Sequence, residues 1–150
     1  MQSFTTKNPE EMLRDNADKM FMDFQKSNRP SQISHIQAQS TPMFFDAIQD
    51  SVMNSSESRT VKIKTLEHEL RDLSQEGTQF IGSVRYKATI EEAEQGQVTR
   101  TNLDELWNYV YENGRWLLAG IDVISPEISD VISQGTASAM PPGSEHKFKY

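Results

Sequence analysis

The sequence predicts an α+β domain in which N-terminal helices pack on a long antiparallel meander. Three observations predict it. Apolar residues recur at helical spacing through the first third of the chain, the period changes to two from Val61 onward, and three Gly-containing turns divide the later part of the chain into strands. The chain has 150 residues, the length of one domain with a real core.

The first helix starts at Asn8-Pro9-Glu10-Glu11. Asn8 is a cap, Pro9 suits the first helical position, and Glu11 stands where a capping box wants a carboxylate. Leu13, Ala17, Met20, Phe21 and Phe24 follow on one face, with Asp15, Asp18, Lys19 and Asp23 on the solvent side. Asn28-Arg29-Pro30 ends this helix. A short second helix carries Ile33 and Ile36. Thr41-Pro42 starts a third, with Phe44, Phe45, Ile48 and Val52 as its stripe, and the polar run Asn54–Ser58 closes the helical part.

Val61 and Ile63 then alternate with Lys62 and Lys64. Leu66, Leu70 and Leu73 break the alternation, which predicts a bulged strand. After the turn at Gln75–Thr78, the residues Phe80, Gly82, Val84, Tyr86, Ala88 and Ile90 form one face of a long strand, with Arg85 and Lys87 on the other. Glu94–Gln97 turns again, and a third strand runs through Leu103, Leu106, Trp107, Tyr109, Val110 and Tyr111. Asn113-Gly114 is the strongest turn signal, because both residues tolerate the positive φ of a tight hairpin. The last strand, Trp116–Ile121, is apolar on both faces, so cover is expected on both. Beyond Asp122, Ser125-Pro126-Glu127 is expected to cap a single helical turn carrying Ile128, Val131 and Ile132, followed by a mobile tail. The organisation expected is a flexible N-terminus at 1–7, the domain at 8–122, and a helical turn with tail at 123–150.

Composition excludes several classes. There is no Cys, which removes disulfides, thiolate metal sites and Cys nucleophiles. Acidic residues outnumber basic ones by 22 to 15, for a net charge of −7, so the basic footprint for a phosphate backbone is missing and nucleic-acid binding is not expected. The opening residues lack the apolar core of a signal peptide, and no apolar run reaches the roughly 18 residues that span a bilayer. No nucleophile elbow or phosphate-binding loop is present. His35, His68 and His146 lack partners at ligand spacing, and no metal, cofactor or catalytic residue is assigned. His68, between Glu67 and Glu69, is expected on a solvated strand.

Two features point toward a ligand pocket. An extended strand puts Glu105 on the face of Leu103, Trp107, Tyr109 and Tyr111, where burial would raise its pKa and suit it to act as a base. The commoner arrangement, and the one expected, pairs it with Arg85, Lys87 or Arg100 across the sheet or leaves it at the sheet edge. Tyr86, Trp107, Tyr109, Tyr111 and Trp116 fall on adjacent strands as either a pocket lining or, as expected, core beneath the helices. Tyr86, Glu105, Trp107 and Tyr109 are thus the pocket candidates.

In order along the chain, Val61-Lys62-Ile63, Gly77, Ser83–Ala88, Asp104-Glu105-Leu106-Trp107 and Asn113–Ile121 resemble the Tim-forty-four-like domain. This is the C-terminal domain of the peripheral subunit of the mitochondrial inner-membrane presequence translocase, with bacterial relatives. Its most specific parts here are Glu105-x-Trp107 and the run Trp116–Ile121, and the likeness covers Asn8 to Asp122. The resemblance implies a nuclear-transport-factor-two-like, cone-shaped fold with a groove, and no enzymatic activity. It implies a protein or peptide partner in a membrane-associated complex, with peripheral membrane contact. Trp107, Trp116 and Gly120 carry over as structural positions. The acidic charge and the lack of a basic amphipathic N-terminal region favour a bacterial or diverged relative over a mitochondrial import role.

The expected function is therefore a non-enzymatic interaction module of a membrane protein-transport or envelope-assembly complex. It would be a soluble domain, at the inner membrane surface if an anchor precedes it. A homodimer through paired sheet faces is an analogy from the fold class. Two alternatives stand beside it. One is a small-molecule-binding or isomerase-like member of the fold, with Glu105 as base and Tyr86 or Tyr109 as hydrogen-bond donor. The other is a secretion-system assembly component.

Overall fold

The computed structural model describes residues 8–134. The expected flexible N-terminus at 1–7 and the tail after Gln134 lie outside the described residues. The elements are helices α1 (Pro9–Ser27), α2 (Ile33–Ala38) and α3 (Pro42–Met53), with a short 3-10 turn at Pro30–Gln32. Strands β1 (Thr60–Glu76), β2 (Gln79–Glu94), β3 (Gln97–Glu112) and β4 (Arg115–Gln134) come after them. The strands form one antiparallel sheet in the order β1-β2-β3-β4. The α+β class is as the sequence predicts.

Local chemistry accounts for the helix ends. The Glu11 amide donates to Asn8 Oδ1 at 2.8 Å and the Asn8 amide to Glu11 Oε1 at 3.2 Å, a reciprocal capping box. The Phe44 amide donates to Thr41 Oγ1 at 3.2 Å at the start of α3. Arg59 closes the far end of α1, donating to the carbonyls of Gln25 and Asn28 at 3.3 and 3.4 Å, where a cation suits the helix dipole.

The helices cover one face of the sheet. Leu13, Ala17 and Phe21 of α1 and Phe44 of α3 join Val84, Tyr86, Ala88, Ile90, Leu103, Trp107, Tyr109, Trp116 and Leu118 in one buried cluster. Ile36, Phe45 and Val52 form a smaller one between α2 and α3. Fully burying each large apolar side chain contributes about 1.5–3 kcal/mol, so this inner layer is the main source of stability. Trp107 sits at its centre, with ring centroids 5.0 Å from Phe21, 5.3 Å from Phe24 and 5.1 Å from Tyr86.

Bulges keep the apolar residues on the inner face. In β1 the register shifts between Ile63 and Thr65 and between Leu70 and Asp72. Each shift inserts one residue, so Val61 and Ile63, then Leu66 and Leu70, then Leu73 all point to the helices, as the broken alternation predicts. In β4, Leu118 pairs with Tyr109 and Gly120 with Asn108, which leaves Ala119 as the extra residue. Leu118 and Ile121 therefore share the inner face although three positions apart. Both faces of this segment are covered only around Trp116–Leu118, whose three residues are buried. Leu118 is also bridged at its edge, its amide donating to Gln39 O and its carbonyl accepting from the Thr41 amide, both at 2.9 Å.

One expectation is corrected. Ser125–Ile132 is not a helical turn; it is strand, and β4 continues to Gln134. Ser-Pro-Glu fits a helix start in sequence, but the ladder with β3 wins. Asp104 pairs with Ser125 and Asn102 with Ile128, leaving Pro126 and Glu127 in a bulge opposite Leu103. A proline is accommodated at such a bulge on an edge strand because its missing N–H is not needed by the ladder.

Candidate functional site

The sheet's inner face opens into a cleft at the end away from the start of α1. It has a volume of about 300 Å³. Its apolar walls are Phe24 of α1, Ile90 of β2, Leu103 and Trp107 of β3, and Ile121 of β4. Its polar lining is Gln25, Asn28, Arg59, Glu92, Thr101, Glu105 and Glu127. A shallower groove of about 470 Å³ continues from it, sharing Glu92, Thr101 and Glu127 and adding Glu94.

Glu105 lies in this cleft because β2 and β3 pair without a break: Tyr86 faces Glu105, Val84 faces Trp107 and Ala88 faces Leu103. Its carboxylate is buried, only 8% exposed, and accepts from Trp107 Nε1 at 2.9 Å. Burial pushes its pKa up, the Trp107 hydrogen bond works against that, and the nearby Glu127 and Asp104 charges add to the rise. Burial and the Glu92 charge also raise Glu127.

The cross-sheet pairing expected for Glu105 is taken by its neighbour. Arg85 makes a two-pronged contact with Asp104 on the outer face, Nε to Oδ1 at 2.8 Å and Nη2 to Oδ2 at 2.7 Å. That contact holds the Asp104 carboxyl below its usual range. Arg100 pairs with Glu91 at 2.9 Å. The alternation of the strand puts these cations on the face opposite Glu105.

The structure separates the four pocket candidates. Glu105 and Trp107 line the cleft, whereas Tyr86 and Tyr109 are core and do not. The Tyr86 hydroxyl donates to Ala17 O at 2.7 Å and lies 2.9 Å from the Tyr109 hydroxyl. Desolvation drives both phenol pKa values up, so both stay neutral. Tyr109 instead borders a cavity of about 60 Å³ with Met20, Phe24, Gln39, Trp107, Trp116 and Leu118. Of the carried-over positions, Trp116 donates from Nε1 to Pro9 O at 2.8 Å, tying the start of α1 to β4.

Arg59, Glu127 and Asn28 are cleft residues that sequence reasoning misses. Arg59 precedes β1 and reaches the site only because the α3–β1 connection returns beside the end of α1. Its Nε meets Glu92 Oε2 at 2.5 Å, and both side chains are partly buried. Glu127 falls in the segment expected to be a helical turn. Asn28 reads as a helix stop, and its Oδ1 is a buried acceptor without a hydrogen-bond partner. His68, expected to be solvated, is exposed and contacts Asp18 of α1 through Nδ1 at 2.7 Å.

A buried carboxylate with a raised pKa has the protonation chemistry of a general base. The cleft supplies no tyrosine donor beside it, since Tyr86 and Tyr109 spend their hydroxyls in the core. Among the described residues no group of three or more His, Asp or Glu side chains is arranged to hold a metal ion. None of the described helices is long and apolar enough to cross a membrane. Compared with protein-family models, with curated proteins and with solved structures, the chain matches none of them.

Proposed function

We propose that this chain is a non-enzymatic interaction module that receives an extended, basic and apolar segment of a protein partner along the edge of β4. The observation that supports it is the state of that edge. Beyond Leu118, β4 pairs with β3 alone among the described residues, and Val123, Ile124, Ile128 and Ile132 are 40–60% exposed. A strand with one free edge is a template for strand addition, in which main-chain bonds give affinity and alternate side chains give specificity. Val123 lies on the inner face opposite Glu105 and Ile128 on the outer face opposite Asn102, so a docked strand meets apolar contacts on both sides.

Charge chooses the partner's chemistry. Beyond Leu118, β4 carries Asp122, Glu127 and Asp130 and no Lys or Arg. The adjoining groove adds Glu92 and Glu94. A basic partner is attracted and an acidic one repelled. Self-pairing of two β4 edges about Pro126 would set Asp122 against Asp130, which disfavours a second copy at this edge. The cone-shaped, nuclear-transport-factor-two-like description and the placement in a membrane protein-transport or envelope-assembly complex rest on the family resemblance. The isomerase-like alternative draws on the buried Glu105 alone and lacks the tyrosine donor expected beside it.

Amide hydrogen exchange tests the edge. A synthetic strand of alternating Val and Lys should slow exchange of β4 amides between 121 and 132, and the matching Val–Glu strand should not. Ile128→Lys should remove the protection. In native membranes, a photo-crosslinker at Ile128 should capture a partner that one at Lys62 on the β1 edge does not. Equal protection by both peptides, or equal crosslinking from both edges, would sink the proposal.

A further inference from the structure

We propose that the cleft beside Glu105 is a binding site for a small organic cation, an ammonium or amidinium group carried on an apolar body. The site lies inside the sheet, beside the β4 edge, and shares Glu92 and Glu127 with the groove that adjoins that edge; Glu105 and Asn28 belong to the cleft alone.

The charge balance points to a cation. Glu105, Glu127 and Glu92 line the cleft against one guanidinium, that of Arg59. Arg59 is already committed: it holds Glu92 at 2.5 Å and donates to two carbonyls at the end of α1. That leaves Glu105 and Glu127 without a cation. Glu105 is 8% exposed, and its one hydrogen bond in the structure, from Trp107, occupies a single oxygen. A second and separate observation points the same way. Asn28 Oδ1, on the α1 side of the same cleft, is buried and accepts nothing. A buried acceptor without a donor costs free energy that a ligand N–H would recover.

The apolar walls set the rest of the ligand. Trp107 and Phe24 present aromatic surface in the cleft, and aromatic faces attract organic cations as well as apolar bodies. Ile90, Leu103 and Ile121 complete an apolar lining. The volume of about 300 Å³ is at the small end for ligand pockets. No group of three or more His, Asp or Glu side chains among the described residues is arranged to hold a metal ion. Burial raises the pKa of Glu105, and a bound cation would reverse that by favouring the carboxylate.

The test titrates the full chain with 2-phenylethylammonium, following the indole N–H resonance of Trp107, assigned with Trp116→Phe, and the heat of binding. The neutral isostere 2-phenylethanol and the anionic phenylacetate, of similar size, serve as controls. The ammonium should give a saturable shift, the alcohol should bind about tenfold more weakly or worse, and the carboxylate should not bind. Glu105→Gln keeps an oxygen for Trp107 and should weaken the ammonium about tenfold or more. Glu127→Gln should weaken it less, and because Glu127 is exposed it serves as a second variant if Glu105→Gln unfolds. Absence of a saturable shift at millimolar ammonium overturns the proposal. So does an alcohol that binds as well as the ammonium, or a pair of variants that both bind like the parent.

Discussion

Substituting Gly82 by Ala tests the closeness of α1 to the sheet. A Cβ built at Gly82 falls 2.5 Å from Leu13 Cδ2 and 3.4 Å from two ring carbons of Trp116. Carbon atoms are at their best separation at about 3.5–4.0 Å, so the Leu13 contact is a true overlap and the Trp116 contacts are merely tight. Leu13 is fully buried in the main cluster, which restricts its methyl group from turning away. Overpacking of this kind costs about 1–3 kcal/mol. Replacing a strand glycine returns roughly 0.5–1 kcal/mol of backbone entropy. The net expectation is a loss of about 1–2 kcal/mol, or about 2–8 °C in Tm for a chain of this size. Urea unfolding followed by far-UV circular dichroism measures it. Leu13→Ala alone should cost about 2–5 kcal/mol through its cavity. In the double variant the new methyl enters that space, so the two losses should add to less than their sum by about 0.5–3 kcal/mol. A Gly82→Ala protein as stable as the parent, or a strictly additive cycle, would refute this packing.

Three further outcomes rest on the same geometry. Gly114→Ala should cost about 1–2 kcal/mol by backbone strain alone, since φ is +83° and nothing lies within 4 Å of the added carbon; no second-site truncation should rescue its denaturation midpoint. Tyr86→Phe should cost about 1–3 kcal/mol, because it removes the acceptor of the buried Tyr109 hydroxyl, while Tyr109→Phe should cost less by leaving the Tyr86–Ala17 bond in place; paired chemical denaturation curves compare them. Glu105 has a folded pKa above its unfolded value, so the folded state holds the proton more tightly and Glu105 destabilises increasingly as pH rises from its unfolded pKa through its folded one. Glu105→Gln should therefore raise Tm at neutral pH, with the gain fading as the solution is acidified below the unfolded pKa, as a pH series of thermal melts would report.

Much of the architecture is legible in the residues alone. The Asn8–Glu11 box, Thr41 cap and Asn113-Gly114 turn are set by interactions within a few residues, and each appears where its residues announce it. The inner face of β2 is legible from alternation. Leu66, Leu70 and Leu73 predict a bulged strand, although only pairing with β2 shows where the two extra residues fall. The site is legible in half. Glu105 and Trp107 are found because period two places them on one apolar face. Arg59, Asn28 and Glu127 are not, because nothing local distinguishes a loop arginine, a helix-stop asparagine or a glutamate after proline.

By itself, then, the sequence determined the order and kind of the main elements up to Asp122 and the faces that β2 and β3 turn inward, because caps, turns and periodicity act over a few residues. Tertiary structure decided the course of Ser125–Ile132, where pairing with β3 overrides a local helix-start signal. It also decided that Asp104 rather than Glu105 takes Arg85, and that Tyr86 and Tyr109 close the core while Glu105 and Trp107 border an open cleft. Those outcomes depend on register and on contacts between residues far apart in the chain, and only the assembled sheet and its helices fix them.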